Sequence, residues 1–318
     1  MNLSAALKSF VVDPIRYQRP GLAFYRISQF LHDRTNGGFD KAYLKVAQYI
    51  AAKVALPAPS LLTQPEIQGV ASDLERDGYK ILPYRMTPDQ IEEIKAFAFS
   101  TKAHGVDLNK MVEVSPDHNR AGEARYSWWM QDVVKIPAVQ KMILEGPYCA
   151  IAQEYLGCRP ILAMVHLFID KPSNQPDGSY TYHYDNEGPA FLKFFFFLTD
   201  VRIGSGAHYF IAGSQHNAKP TAVAKSGFYS EDQLFSVYSR DAEKIMEGPP
   251  GTILAEDTMG FHRGSSVKHD YRLVMQFEFT ALNVPTYDEL LHPMAPIEIT
   301  NLDPGLASIC RKIYVRGK

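Results

Sequence analysis

A series of short strand-like runs constrains the fold of this 318-residue chain more than any other feature. From Ile161 onward, runs rich in aromatic and β-branched residues are separated by Gly, Pro, Asn and Asp. These runs are ILAMVHLFI, TYHYD, FLKFFFFL, AHYFIAG, GTILAED and RLVMQFEF. Short runs of this kind are typical of an antiparallel β-barrel or jelly roll and not of alternating βαβ units. We therefore expect a mainly β core in this half of the chain.

The run FLKFFFFL predicts a strand that is covered on both faces. Successive strand side chains point to opposite faces. Lys193, Phe195 and Phe197 share one face, and Phe194 and Phe196 share the other. We expect one of these faces to line a cavity and the other to pack against helices.

The first half of the chain is predicted to be helical. Residues 1–60 form a basic extension in which KAYLKVAQYIAAKVA is typical of an amphipathic helix, and Pro57–Ser60 is a linker. Residues 61–318 are predicted to form one domain with helices at 61–160, including a helix capped by Thr87. The extension is expected to pack on the core or across a subunit interface, or else to contact a membrane surface.

Composition excludes several classes of protein. The net charge of -2 gives no sign of a nucleic-acid binder, and the 46% hydrophobic content suffices for a sizeable core. The three cysteines have no disulfide or zinc-site spacing, which favours a reducing, cytoplasmic location. No apolar run reaches the roughly 20 residues that span a bilayer, and the N-terminus lacks the apolar core of a secretory signal.

Two histidines and a carboxylate suggest a metal site. His183 and Asp185 are two residues apart, so on a strand their side chains would point the same way. His262 and, ten residues later, Arg272 follow in strand-like segments. Two histidines and one carboxylate are the ligand set of non-haem iron(II) oxygenases. A His-x-Asp pair alone is weak evidence, and the order of the four residues carries the prediction.

The order of motifs resembles the phytanoyl-CoA dioxygenase family of iron(II)- and 2-oxoglutarate-dependent oxygenases. The similar segments are a helix ending in DGY, the helix start TPDQIEEI, the segment VQKMILEGPYCAIAQEYLGCRPIL, the His-x-Asp motif, and GSGA followed by IAGSQH. The chain departs from the family at Ala212, where Pro is frequent, and at Tyr184, where Gln is frequent. The resemblance implies an α+β protein with a double-stranded β-helix (jelly-roll, cupin-like) core.

The resemblance also implies roles for single residues. His183, Asp185 and His262 would bind iron(II), and Arg272 would pair with the distal carboxylate of the co-substrate 2-oxoglutarate. Lys193 and Phe195 would line the 2-oxoglutarate site. The implied reaction uses O2 to hydroxylate an unactivated C–H bond of a small molecule and releases succinate and CO2. Related halogenases have Gly or Ala in place of the carboxylate, so Asp185 favours hydroxylation.

Further positions are less constrained by the sequence. Candidates for the substrate lining are Tyr182, Asn186, Arg125, Tyr126, Trp128 and Trp129. His269 is a weaker candidate than His262 for the third ligand, because it lies three residues before Arg272 and would face away from it. We expect His216 and Asp257 to shape turns, and His166 and His208 to face either the cavity or the core.

Two alternatives to the oxygenase remain open from the sequence. One is a metal- or ligand-binding β-barrel without catalysis, and the other is a cupin-type enzyme that does not use 2-oxoglutarate. A homo-oligomer is compatible with either alternative and with the oxygenase. The sequence does not indicate the substrate.

Overall fold

The structure is a computed structural model, and it has an α+β architecture. The described residues are 20–59, 61–105, 110–114, 124–172, 180–186, 188–216, 219–268, 270–282 and 295–317, with side chains described from residue 26 onward.

Most helices of the described residues lie in the first half of the chain. They are α1 (Pro20–Thr35), α2 (Gly38–Ile50), α3 (Gln64–Asp77), α4 (Pro88–Ser100), α5 (Met130–Val133), α6 (Pro137–Glu145), α7 (Tyr148–Leu156), α8 (Glu231–Phe235) and α9 (Pro304–Ile309). Thr87 caps α4 as predicted, because its side chain accepts a hydrogen bond from the backbone of Gln90.

The strands form one large antiparallel sheet and two small sheets. They are β1 (Tyr79–Ile81), β2 (Ala103–His104), β3 (Met111–Val112), β4 (Arg125–Trp128), β5 (Ile161–Asp170), β6 (Phe191–Phe197), β7 (His208–Ile211), β8 (Glu243–Met246), β9 (Ile253–Glu256), β10 (His262–Arg263), β11 (Arg272–Thr280), β12 (Ile297–Ile299) and β13 (Tyr314–Arg316). The large sheet has the order β1-β9-β6-β11-β5-β4-β2-β3. The others have the orders β10-β7-β8 and β12-β13.

Strand β6 has the two covered faces that its sequence predicts. Phe194 and Phe196 pack against the ring of Tyr148 on α7, with ring centroids 5.3 and 5.0 Å apart. Lys193 and Phe195 line a cavity on the opposite face. The alternation of strand side chains thus separates the main core from the cavity.

Two segments have a different secondary structure from the one that the sequence predicts. The family resemblance places a helix in VQKMILEGPYCAIAQEYLG, and the structure divides this segment at Gly146 and Pro147 into α6 and α7, because Pro has no N–H and disfavours helical backbone before it. The predicted strand TYHYD forms only isolated bridges at Tyr182 and His183. This irregular segment carries two of the predicted metal ligands.

The N-terminal helices pack against the rest of the chain. On α1 and α2, His32, Asp40 and Ala47 are fully buried. The two helices are joined at Asn36 and Gly37, which both have positive φ angles of 47° and 76°. This sharp turn brings Asp40 of α2 against His32 of α1, and α1 in turn contacts the segment that contains His183.

None of the helices in the described part of the chain combines the length and hydropathy needed to cross a bilayer. Cys149, Cys158 and Cys310 are buried as free thiols.

Candidate metal centre

Main-chain pairing brings the two histidines together. His183 and His262 form an antiparallel bridge, in which each backbone N–H donates to the carbonyl oxygen of the other at 3.0 and 2.8 Å. Their rings lie side by side, with centroids 4.4 Å apart. Two residues that are distant in the sequence therefore present their imidazoles at one point.

Asp185 completes the group. Its backbone N–H donates to the carbonyl of Thr258 at 2.8 Å, which holds the segment against the loop before β10. Asp185 Oδ1 lies 3.9 Å from His183 Nε2 and 3.8 Å from His262 Nε2. One potential ligand atom from each residue lies within 4.8 Å of the others. The three side chains therefore converge on a volume that could hold one metal ion.

Hydrogen bonds orient both imidazoles toward that volume. His183 Nδ1 lies 2.8 Å from the carbonyl oxygen of Thr181, and His262 Nδ1 lies 2.9 Å from that of Gly260. A carbonyl oxygen can only accept, so each Nδ1 carries a proton, and each Nε2 is the ring nitrogen that faces Asp185. This arrangement is typical of metal-binding histidines.

The protonation states also fit a divalent cation. Burial lowers the pKa of His262 to about 4, so its imidazole is neutral at pH 7. Burial alone would raise the pKa of Asp185, but the positive charge of Lys193 and the two histidines lower it well below its usual range. A neutral His262, a second imidazole from His183 and one carboxylate are ligand types that suit iron(II). Their role as metal ligands stays a prediction.

The three residues lie at the wall of a cavity of about 280 Å³ between the large sheet and the β10-β7-β8 sheet. The cavity is lined by Arg125, Met164, His166, Phe168, His183, Asp185, Lys193, Phe195, Phe197, His208, Leu254, His262, Gly264, Arg272, Val274 and Gln276. Its mixture of apolar walls with a few convergent charged groups is typical of a small-molecule site.

Arg272 lies in this cavity and is paired with a carboxylate of the protein itself. Its Nε donates to Asp170 Oδ2 at 2.9 Å, and its Nη2 donates to the same oxygen. Its Nη1 donates to the carbonyl oxygen of Gly206. Arg125 also binds Asp170, with its Nε 2.6 Å from Oδ1. Sequence reasoning missed Asp170 and this shared pairing.

The buried carboxylate of Asp170 remains charged between the two arginines. Burial alone would raise its pKa, but the charges of Arg125 and Arg272 lower it. The three side chains together carry one net positive charge. One further anionic group in the cavity would balance this charge.

Lys193 and Phe195 line the cavity, as the sequence predicts, and the structure gives Lys193 a specific contact. Its Nζ donates to Asp185 Oδ2 at 2.8 Å and lies 3.6 Å from Glu278 Oε2. Lys193 therefore orients the carboxylate so that Oδ1 faces the histidines. A direct contact of either side chain with 2-oxoglutarate stays a prediction.

A buried histidine–glutamate pair, His208 and Glu256, lies beside His262. His208 Nε2 is 2.8 Å from Glu256 Oε1, and the rings of His208 and His262 are stacked with centroids 5.3 Å apart. Burial raises the pKa of Glu256 to about 8 and lowers that of His208 to about 3. At pH 7 a neutral Glu256 therefore donates its proton to a neutral His208. No motif in the sequence points to Glu256.

Five of the six predicted substrate residues lie away from this cavity, and Arg125 is the one that lines it. Alternation along β4 explains two of them, because Tyr126 and Trp128 point to the face opposite Arg125. Trp128 is buried and its indole N–H donates to the carbonyl of Thr101 at 2.9 Å. Trp129 stacks on His104, with centroids 4.0 Å apart.

The other two residues are held by the loops around the metal ligands. The Tyr182 hydroxyl donates to Glu243, and the ring lies under the guanidinium of Arg263 at 4.9 Å. Asn186 donates to the Ser226 hydroxyl at 2.8 Å. None of these five residues is among those that line the cavity, and their role as substrate residues stays a prediction. Phe228, which the sequence did not indicate, is 64% exposed and lies 5.6 Å from the His183 ring.

The remaining histidines fall into different settings. His166 and His208 both line the cavity. His216 is exposed, and its backbone carbonyl accepts a hydrogen bond from Lys219. Asp257 shapes its turn as predicted, because Oδ1 accepts from the backbone of Met259. His269 lies outside the described residues.

Comparison with known proteins supports the fold. Solved structures similar to this chain include the non-heme alpha ketoglutarate dependent carbocyclase SnoK from nogalamycin biosynthesis, with a TM-score of 0.51 and 14% identity over 76% of this chain and 95% of that one. Another is EctD from S. alaskensis with bound Fe, with a TM-score of 0.50 and 15% identity over 84% of this chain and 92% of that one.

The chain has the double-stranded β-helix fold of 2-oxoglutarate-dependent oxygenases. The predicted fold class is thereby confirmed. No family model matches the sequence, and no curated protein matches it. Solved structures at this level of identity show the fold alone.

Proposed function

We propose that this protein is an iron(II)- and 2-oxoglutarate-dependent dioxygenase of the phytanoyl-CoA dioxygenase type. It hydroxylates an unactivated C–H bond of a small molecule, with succinate and CO2 as co-products. The observation that carries the proposal is the convergence of His183, Asp185 and His262 in a cavity that also contains Arg272. Bound there, iron(II) would supply the activation of O2, with 2-oxoglutarate as the source of electrons.

Each residue has a separate task in this proposal. His183, Asp185 and His262 would hold the metal through two imidazole nitrogens and one carboxylate oxygen. Lys193 holds the second oxygen of Asp185. The apolar residues of the cavity, among them Phe195, exclude water from the reaction site and help to position the substrate.

The carboxylate receptor is a pair of arginines. Arg272 uses three of its five N–H groups for Asp170 and Gly206, so among the described residues two remain for another acceptor. Arg125 supplies a second guanidinium, and Asp170 holds the two together. The single net positive charge of this cluster matches the distal carboxylate of 2-oxoglutarate.

A second candidate function is favoured by one observation. Asp170 already binds the Nε and Nη2 groups of Arg272, as a purely structural ion pair would. A cupin-type enzyme that does not use 2-oxoglutarate would bind the metal and keep this pair for stability alone. A metal-binding protein without turnover would do the same.

The test uses the purified protein reconstituted with iron(II) without oxygen. Addition of 2-oxoglutarate should give a visible charge-transfer band, and admission of O2 should then yield succinate. The variant His183→Ala should lose both, and Arg272→Ala should need far more 2-oxoglutarate for the band. A wild-type protein that binds iron but gives neither band nor succinate would favour the second candidate.

A further inference from the structure

One face of helix α1 contacts the segment that carries two of the proposed metal ligands. Gln29, His32 and Asp33 have the spacing of neighbours along a single helical face, and Asn36 lies in the turn that directly follows the helix. Their partners are in two places, the segment from Tyr184 to Asn186 and the loop at 219–226. Each of these contacts is a hydrogen bond between polar groups.

The central contact is made by a fully buried histidine. His32 Nδ1 pairs with the carboxylate of Asp40 on α2, and its Nε2 lies 3.3 Å from the Tyr184 hydroxyl. The rings of His32 and Tyr184 are 5.4 Å apart. Tyr184 lies between His183 and Asp185 in the sequence, and its hydroxyl also donates to the carbonyl of Ala224 at 3.2 Å. The hydroxyl is thus fixed from two sides.

Two further residues of α1 hold the end of the segment. Gln29 Nε2 donates to the carbonyl oxygen of Asn186 at 2.9 Å. Asp33 Oδ1 accepts from both the backbone N–H and the hydroxyl of Ser226, at 3.0 and 2.7 Å. The amide of Asn186 donates to the same hydroxyl at 2.8 Å. Asn186 directly follows Asp185, so these bonds fix the backbone next to the carboxylate.

Asn36 connects this group of contacts indirectly to His262. Asn36 exchanges two hydrogen bonds with the backbone of Lys219, at 2.8 and 2.9 Å. The buried ammonium of Lys219 lies 5.3 Å from the Tyr184 ring and 5.8 Å from the Phe261 ring. Tyr184 and Phe261 meet edge to face at 5.3 Å, and Phe261 directly precedes His262. One connected group of side chains therefore touches the neighbours of all three proposed ligands.

We propose that α1 is a positioning element of the metal centre, and that Gln29 and His32 are positioning residues that set the distance of His183 and Asp185 from His262. The segment from Tyr182 to Asn186 is irregular and lacks the ladder of a full strand, so its geometry depends on these contacts. This inference rests on the proposed metal site. It assigns a task to the N-terminal extension, which the proposed reaction alone does not require.

The test measures Co(II) binding to the full chain, since the visible bands of Co(II) report ligand geometry. Tyr184→Phe removes the hydroxyl that His32 contacts but keeps the ring against Phe261. Gln29→Ala removes the bond to Asn186 from a half-buried position, where a failure to fold is not expected. Both variants should bind Co(II) about tenfold more weakly, in the range known for residues that orient metal ligands. Their Co(II) bands should also shift.

The matched control is Tyr314→Phe. Tyr314 is fully buried and its hydroxyl donates to the carbonyl of Val134 at 2.6 Å, so the variant loses a comparable hydrogen bond outside the metal centre. It should bind Co(II) as the wild type does, with unchanged bands.

Two results would overturn the inference, and they are distinguishable. If Tyr184→Phe and Gln29→Ala keep wild-type affinity and bands while His183→Ala abolishes binding, the metal site stands and the positioning role fails. If the wild type and His183→Ala give the same response to Co(II), the proposed function fails and this inference fails with it.

Discussion

The carboxylate of Asp170 lies against the Nε and Nη2 groups of Arg272, the residue that the sequence predicts to bind 2-oxoglutarate. The pair is deeply buried, with side-chain exposures of 8% for Arg272 and 2% for Asp170. Arg125 shares the same carboxylate and is more exposed, at 32%. A carboxylate between two guanidinium groups fixes both of them, and it leaves part of their charge for a ligand.

Asp170→Asn should destabilise the protein, because two guanidinium groups lose their shared counter-charge. Removal of one partner of a buried ion pair costs about 3 to 5 kcal/mol. Urea unfolding at pH 7 measures this loss. The control is Asp200→Asn, whose carboxylate pairs with Arg202 at the surface and should change stability by no more than about 1 kcal/mol.

The contribution of Asp170 should depend on pH in a defined direction. Its pKa is lower in the folded protein than in the unfolded chain. The carboxylate therefore adds stability above the unfolded value of about 3.9, and this stability is lost as the pH falls further. The difference between the wild type and Asp170→Asn should be constant from pH 5 to 7 and shrink below about pH 4. An unchanged difference in acid would contradict the assigned ion pair.

Arg272→Lys and Arg125→Lys should both weaken the binding of 2-oxoglutarate, because a lysine cannot replace the planar fork of a guanidinium. A hydrogen bond to a charged group contributes about 1.5 to 3 kcal/mol, so the affinity should fall about tenfold or more. Anaerobic titration of the iron(II) protein measures it. Pyruvate, which has no distal carboxylate, should bind equally to both variants and the wild type. If the affinity for pyruvate fell by the same factor as the affinity for 2-oxoglutarate, the substitutions would have damaged the metal site instead.

The strands of the core could be predicted from the sequence because their patterns are local. The runs that begin at Ile161, Phe191 and Arg272 became β5, β6 and β11 almost to the residue. The pairing between Arg272 and Asp170 could not be predicted, because it depends on the register of β11 against β5. The acid at the end of one run meets the arginine at the start of the other only once that register is known.

The candidate site was partly predictable for the same reason. The resemblance to a known family predicts that four residues lie together, because their order and spacing match the family's motifs. These residues are His183, Asp185, His262 and Arg272. Glu256 lies in the run GTILAED and resembles any acid at the end of a strand. Its burial beside His208 comes from tertiary packing, which a single sequence does not encode locally. Trp128 packs into the core, and the sequence alone does not distinguish this place from one in the substrate lining.

Glu256→Gln should remove a pH dependence of stability. The folded pKa of Glu256 is about 8, above the unfolded value of 4.5, so its contribution is lost as the pH rises toward 8. A glutamine keeps the shape and can still donate to His208 Nε2. Between pH 6.5 and 8 the metal-free wild type should lose about 1 to 2 kcal/mol of unfolding free energy that the variant keeps. Unfolding of both proteins in urea across this range measures the difference, and parallel profiles would contradict a neutral Glu256.

Lys193→Gln should weaken metal binding without removing a proposed ligand. Lys193 donates to Asp185 Oδ2, and this bond keeps Oδ1 aimed at the two histidine Nε2 atoms. Without it the carboxylate can rotate, and residues that orient a ligand in this way typically contribute tenfold to a hundredfold in metal affinity. Co(II) titration should show this loss.

A matched control separates this effect from the loss of a surface ion pair. Lys53 donates to Glu154 at the same distance of 2.8 Å, and the two side chains are 42% and 28% exposed. Lys53→Gln should therefore leave Co(II) affinity unchanged. If Lys193→Gln also bound Co(II) with full affinity but required more 2-oxoglutarate, Lys193 would be a co-substrate residue, as the family resemblance implies, and not the residue that orients Asp185.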